Sequence, residues 1–172
     1  MCRFFGGRKL LGRFLFKQAE RKMEKIKMKE NLIISACLLG IPCRYDGRSV
    51  KKLDIDALNE KYNLIPICPE IYGGLPTPRV PSERILDKVM MKDGRDVTEN
   101  YKRGAEASLE IARANGARLA LLKERSPSCG KGAVYDGTFS GNLIEGNGVT
   151  AELFLENGIT VYGESEISEL LK

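Results

Sequence analysis

Four cysteines are the residues of this chain best suited to chemistry: Cys37, Cys43, Cys68 and Cys129. Thiolates act as nucleophiles and as ligands of zinc and of iron–sulfur clusters. The chain contains no histidine, which excludes Ser-His, Cys-His and His-metal sites. Any catalysis must therefore depend on cysteine, carboxylate or hydroxyl groups, or on an inorganic cofactor.

Short apolar runs predict the elements that position these cysteines. Four such runs, bounded by Gly, Pro or Asn, predict strands over 31–36, 64–67, 118–122 and 159–162. Helical periodicity lies between them, and this alternation is typical of right-handed crossovers in a parallel sheet. We therefore predict a small Rossmann-like α/β domain of three layers, with a mainly parallel sheet of about four to five strands. Two long segments, 68–92 and 124–147, show no periodicity and are expected to be irregular functional loops.

The predicted strands bring three cysteines to one place. Cys37 follows the first strand, Cys68 ends the second, and Cys129 lies a few residues beyond the third. The carboxyl ends of parallel strands meet at one edge of a sheet, where ligands usually bind. The sequence therefore predicts a cluster of thiols at this edge.

Converging thiols have four interpretations. A disulfide framework is disfavoured because the chain has no secretion signal and is large enough to form a core without covalent links. The cysteines could instead be small buried apolar residues, although each adjoins a loop entrance. Zinc is disfavoured because Cys37 and Cys43 are separated by five residues and no closer pair exists among the four. An iron–sulfur cluster is the interpretation we favour, since three thiolates can leave one iron open to substrate.

Polar residues beside the cysteines add candidates for catalysis. Glu70 lies two residues after Cys68, and Ser126 and Ser128 adjoin Cys129. A carboxylate could serve as general acid or base in a site without histidine, although Glu70 could also be a solvated loop charge or a helix cap.

Arginines in the same loops also have two interpretations. Arg79 and Arg84 could bind an anionic or carbonyl-bearing substrate, or they could pair with Glu83 and Asp87.

The charge of the chain is concentrated at its start. The net charge is +5, and residues 1–30 hold ten Lys or Arg against three Glu, together with four Phe. We predict a basic N-terminal extension over 1–30, disordered or helical, and a single domain over 31–172. The extension could be an upstream segment with a natural start at Met28, a contact for an anionic membrane or RNA, or a helix that packs on the body or on a second subunit.

The rest of the chain is nearly neutral, which predicts no specific nucleic-acid partner. No stretch reaches the roughly 18 apolar residues that a membrane span needs. Neither secretion nor membrane spanning is therefore expected. Iron–sulfur chemistry favours a reducing, cytoplasmic setting, and we expect either a monomer or a homodimer.

Several motifs in fixed order resemble a bacterial family whose best-understood members are thiouracil desulfidases. The resemblance extends over about 31–162 and rests on three motifs above all. They are SACLLG over 35–40, CPE over 68–70 and SPSCG over 126–130.

This resemblance implies a 4Fe-4S cluster bound by Cys37, Cys68 and Cys129, with Cys43 either replacing one of them or lining the site. It implies loss of sulfur as hydrosulfide from a thiocarbonyl small molecule such as thiouracil, with oxygen supplied by water. Glu70 and Ser126 would then be catalytic, and we expect substrate contacts from Arg44, Asp46 and Ser128. The alternative is a non-catalytic iron–sulfur or zinc module, or a sulfur carrier.

Overall fold

The structure is a computed structural model that describes residues 29–50, 53 and 55–172. The predictions made for the basic segment fall on residues 1–28 and so lie outside the described residues, apart from its last two positions. No helix in the described part is long and apolar enough to cross a membrane.

Eight strands and five α-helices make up the described fold. The strands are β1 (Glu30–Ser35), β2 (Tyr62–Ile67), β3 (Ser82–Ile85), β4 (Lys88–Met91), β5 (Leu119–Leu122), β6 (Ala133–Tyr135), β7 (Leu143–Glu145) and β8 (Thr160–Gly163). The α-helices are α1 (Ile55–Lys61), α2 (Pro69–Tyr72), α3 (Thr98–Ala114), α4 (Val149–Glu156) and α5 (Ile167–Leu171). Short 3₁₀ turns follow β1 at Ala36–Leu39 and β8 at Glu164–Glu166.

The central sheet is parallel throughout, in the order β2-β1-β5-β8. Leu32 of β1 pairs with Leu64 on one side and with Leu119 on the other. The four strands correspond to the four apolar runs of the sequence, each within about two residues. The predicted α/β class and mainly parallel sheet are confirmed.

Helices cover both faces of this sheet, which gives the three predicted layers. On one face, Ile33, Ala120 and Val161 pack against α3 and α4. On the other face, Ile34 and Leu121 pack against α1 and α5. Both faces are apolar because a parallel sheet is buried on both sides.

Two antiparallel hairpins correct the prediction that segments 68–92 and 124–147 are irregular. Strands β3 and β4 pair within the first segment, and β6 and β7 pair within the second. Their strands are only three or four residues long, too short for a period of two to stand out in the sequence. Tertiary contacts stabilise the first hairpin, since Val89 and Met91 pack against Tyr101 of α3.

Candidate active site

A cavity of about 640 Å³ opens at the carboxyl edge of the sheet. It is lined by Cys37, Cys43, Cys68 and Cys129. Three of the other residues that we predicted to be catalytic or substrate-binding also line it. These three are Arg44, Glu70 and Ser126. The topology therefore brings residues from distant parts of the chain to one place, as the sequence predicted.

Three of the cysteines lie directly after a strand of the central sheet or in the loop that follows one. Cys37 lies in the 3₁₀ turn after β1, which ends at Gly40 with a φ of +88°. Cys68 is the residue that precedes α2, after β2. Cys129 follows β5 in a turn closed by a 2.9 Å hydrogen bond from the Gly130 N–H to the Ser126 carbonyl. An alanine Cβ at Gly130 would lie only 2.8 Å from that carbonyl oxygen, so the turn requires glycine.

The four thiols are free and mostly buried. A hydrogen bond with the Cys37 thiol raises the pKa of Cys43 to about 11, and burial raises the pKa of Cys129 to about 12. The pKa of Cys68 is also raised, first by its hydrogen bond with Cys43 and then by burial. At neutral pH Cys43, Cys68 and Cys129 are therefore uncharged thiols, and a metal bound by any of them would have to displace its proton.

Zinc sites and iron–sulfur clusters place different demands on thiol ligands. A structural zinc ion requires four ligands around one centre, whereas an iron–sulfur cluster takes each thiolate on a separate iron. Within the described ranges, no group of three Cys, Asp or Glu side chains is found that could hold a metal ion.

Glu70 lies in the first turn of α2, with its side chain only 15% exposed. The Arg79 guanidinium donates to its Oε2 from Nε at 2.8 Å and also from Nη2. The other oxygen, Oε1, lies 3.5 Å from the Ser126 hydroxyl. One carboxylate oxygen is thus held by arginine and the other faces the serine.

Close packing between two helices fixes the position of Glu70. An alanine Cβ at Gly104 of α3 would lie 1.9 Å from the Pro69 carbonyl oxygen, and one at Gly73 would lie 2.1 Å from the Asn100 carbonyl oxygen. The two glycines therefore allow the backbones of α2 and α3 to touch.

Ser126 is oriented by its own loop. Its Oγ accepts the backbone N–H groups of Ser128 at 3.1 Å and Cys129 at 3.2 Å. The hydroxyl hydrogen is then free to point toward Glu70 or toward a molecule in the cavity.

Two of the predicted substrate-binding residues lie outside the cavity lining. Asp46 accepts two 3.2 Å hydrogen bonds from the Arg44 guanidinium, so it orients the arginine that does line the cavity. Ser128 is fully buried, and its Oγ forms a 2.9 Å hydrogen bond with the Thr150 hydroxyl. The structure thus gives Ser128 a role in packing α4 against the loop.

The arginine pairs differ from those the sequence suggested. Arg79 pairs with Glu70, and Arg84 pairs with Glu152 of α4 at 2.6 Å. Glu83 instead accepts two 2.9 Å backbone hydrogen bonds from the loop after β6. Sequence spacing could not reveal these partners because each pair joins different elements.

Sequence reasoning also missed the four aromatic residues that line the cavity, which are Tyr45, Tyr101, Tyr135 and Phe139. Phe139 lies on the loop that Glu83 holds, in a left-handed conformation with a φ of +56°. Tyr101 reaches the cavity from α3, and burial raises the pKa of its phenol. The Asp-Gly-Thr-Phe-Ser-Gly stretch over 136–141 indicates only a turn, and Tyr101 follows an ordinary helical pattern. Neither pattern therefore indicated a functional site.

Comparison with known proteins gives three findings. The family described as 2-thiouracil desulfurase matches residues 32–166. The solved structure of TudS, described as a 4Fe-4S-dependent thiouracil desulfidase, is 48% identical with a TM-score of 0.78, covering 83% of this chain and 95% of that one. The Bacillus subtilis (strain 168) protein YbbK is 41% identical over 150 residues, which is 81% of this chain and 99% of YbbK.

Proposed function

Because this chain belongs to the 2-thiouracil desulfurase family, we propose that it removes sulfur from a thiocarbonyl small molecule such as thiouracil. Water supplies the oxygen that replaces the sulfur, and the sulfur leaves as hydrosulfide. The carbon stays in the same oxidation state, so no external oxidant or reductant is needed. The observation that carries the proposal is the meeting of the thiols with Glu70 and Ser126 in one cavity.

The cofactor we propose is a 4Fe-4S cluster held by Cys37, Cys68 and Cys129. Three free thiols that follow three different strands and line one cavity suit a cluster, which takes one thiolate per iron. When bound, such a cluster supplies an iron without a protein ligand that acts as a Lewis acid toward the thiocarbonyl sulfur. Cys43 contacts the Cys37 and Cys68 thiols by hydrogen bonds, and we assign it to the lining of the site.

Glu70 handles the protons in this proposal. Its Oε1 accepts a proton from the attacking water, and the resulting carboxylic acid returns a proton to the ring nitrogen or to the departing sulfur. Ser126 lies beside that oxygen and orients the substrate by donating its hydroxyl hydrogen. Ser126 also accepts the Cys129 N–H at 3.2 Å, and Glu70 lies two residues after Cys68, so both groups adjoin loops that bear proposed cluster ligands.

The remaining walls suit a flat polar ring. Arg44 projects into the cavity, with Asp46 holding its guanidinium, and it can donate to a substrate carbonyl. Phe139 and Tyr45 supply aromatic surface. A volume of about 640 Å³ lies within the range of small-molecule pockets. The thiols and the cofactor chemistry also fit a reducing compartment, so we propose a cytoplasmic location.

The first experiment is to purify the protein without oxygen and reconstitute it with iron and sulfide. Iron and acid-labile sulfide per chain are measured with the visible spectrum, and sulfide release from 2-thiouracil is then followed. We expect a cluster, and turnover that falls about 10²–10⁴-fold in Glu70→Gln. The matched control is Glu110→Gln, since Glu110 lies on α3 with a side chain that is 72% exposed.

The two alternatives give different results in the same experiment. A cluster that forms without any sulfide release would indicate a carrier or binding module, and equal release by wild type and Glu70→Gln would contradict the role of Glu70. A colourless protein with one zinc per chain would contradict the cluster. Cys37→Ser, Cys68→Ser and Cys129→Ser should each lower the iron content, and Cys43→Ser should retain it.

A further inference from the structure

The Arg79 guanidinium is almost completely enclosed, with its side chain 3% exposed. Besides Glu70, it donates from Nη1 to the carbonyl oxygens of Cys43 at 3.3 Å and Pro76 at 3.2 Å, and to the Thr77 hydroxyl at 3.1 Å. Its Nη2 also donates to the Cys43 carbonyl at 3.3 Å. Every guanidinium nitrogen is thus engaged by the protein, so Arg79 is not available to bind a substrate directly.

The Arg79 guanidinium contacts only one of the two carboxylate oxygens of Glu70. Both arginine bonds to the carboxylate end on Oε2, whereas Oε1 has only the 3.5 Å contact with Ser126. Two donors on one oxygen fix the rotation of the carboxylate and engage the lone pairs of Oε2. Oε1 keeps its lone pairs and is therefore the oxygen that can exchange a proton.

The same guanidinium also touches the cysteine loop. The Cys43 carbonyl that accepts from Arg79 lies 3.9 Å from the Cys68 sulfur, which donates to it. Arg79 is therefore in contact with both sides of the site, the loop that presents the thiols and the carboxylate that would move protons.

We propose that Arg79 is a positioning residue that acts through Glu70. It holds Oε2 so that Oε1 is the oxygen presented to water and substrate. This inference rests on the proposed function, in which Glu70 transfers protons. The competing interpretation is that Arg79 only ties the cysteine loop to α2.

Lysine is a poor replacement in this geometry. A guanidinium reaches Oε2 from Nε and Nη2 while Nη1 serves three other acceptors, and an ammonium has only three donors on one atom. Arg79→Gln removes the charge as well. Both variants should free the Glu70 carboxylate to rotate.

The test compares steady-state kinetics of the reconstituted wild type with Arg79→Gln, Arg79→Lys, Glu70→Gln and the double variant Glu70→Gln/Arg79→Gln. Iron content and the visible spectrum are recorded for each protein. The matched control is Arg84→Gln, which removes another partly buried arginine that pairs with a glutamate on α4 and does not line the cavity.

We expect Arg79→Gln to keep its iron and to lose about 10–10²-fold in kcat, with KM changed by less than about threefold, because the group lost acts on proton transfer and not on binding. The double variant should be no slower than Glu70→Gln alone, because Arg79 has nothing to position once the carboxylate is gone. Added guanidinium ion should restore part of the activity of Arg79→Gln and none in Glu70→Gln.

Three results would overturn the inference. The first is a kcat of Arg79→Gln within twofold of wild type. The second is a double variant that is slower than Glu70→Gln by the whole fold-loss that Arg79→Gln shows alone. The third is loss of iron from Arg79→Gln without rescue by guanidinium ion, which would mean that Arg79 only links the cysteine loop to α2. Failure of the proposed function looks different, because wild type with a full complement of iron would then release no sulfide.

Discussion

Replacing Gly104 with alanine sets helix propensity against packing, because the two predict opposite changes in stability. Gly104 lies inside α3, where alanine is favoured over glycine by about 1 kcal/mol of helix propensity. The added Cβ would, however, lie 1.9 Å from the Pro69 carbonyl oxygen and 2.7 Å from its carbon. Propensity therefore predicts a more stable protein, and packing predicts a less stable one.

The size of the expected loss of stability follows from how far α2 and α3 must move apart. Ordinary contact begins at 3.4 Å, so α2 and α3 must separate by about 1.5 Å at this point. Overpacking typically costs about 1–3 kcal/mol, and a clash with backbone belongs at the upper end of that range. After the gain in propensity, we expect a net loss of about 2 kcal/mol, or about 4–8 °C in Tm for a chain of this size.

Thermal unfolding followed by circular dichroism checks the stability, and sulfide release checks the site. Because α2 bears Glu70, a shift of about 1 Å should lower turnover by about 10²-fold in the protein that remains folded. Glu106→Ala is the control, since Glu106 is exposed on the same helix and its substitution should change stability by less than about 0.5 kcal/mol. A Tm for Gly104→Ala equal to or above that of wild type would refute the packing argument.

Three further predictions concern stability. Ser128→Ala leaves the buried Thr150 hydroxyl without its partner and should lower the free energy of unfolding by about 1–3 kcal/mol in urea titrations. Glu83→Gln weakens two charge-assisted backbone bonds and should speed amide hydrogen exchange in the loop after β6, while exchange in β1 stays unchanged. The Lys131 ammonium lowers the pKa of Glu166 below its ordinary value of 4.5. Wild type should therefore be more stable than Glu166→Gln above pH 4.5, and this advantage should vanish as the pH falls through the lower folded-state pKa.

The central sheet could be predicted from sequence because its strands are buried on both faces. Runs such as 32–34 and 119–122 are continuously apolar, so the positions of these strands depend little on details of tertiary packing. The hairpins could not be predicted in the same way. Their strands are short, and β3 is held in place by contacts with the loop after β6 and with α4.

The part of the site that could be predicted from sequence is the part that strand order determines. The convergence of the cysteines follows from their places after β1, β2 and β5, and the resemblance to thiouracil desulfidases is confirmed by the family match. The cluster ligands and the catalytic roles stay predictions. The partner of Glu70 was not predictable, because Arg79 is placed by a long loop that no local pattern describes. The hydrogen bond of Ser128 likewise depends on where α4 begins.

The order of the strands has a consequence for how the protein matures in the cell. Cys37 and Cys68 precede β5, and the loop with Cys129 reaches the edge of the sheet only after β5 has paired with β1. A chain still emerging from the ribosome therefore contains two of these thiols before the third is synthesised. Any cofactor that needs all of them could therefore bind only after β5 and the loop that follows it have been synthesised. Since such a cofactor binds the folded state alone, its insertion would also stabilise complete chains over truncated ones.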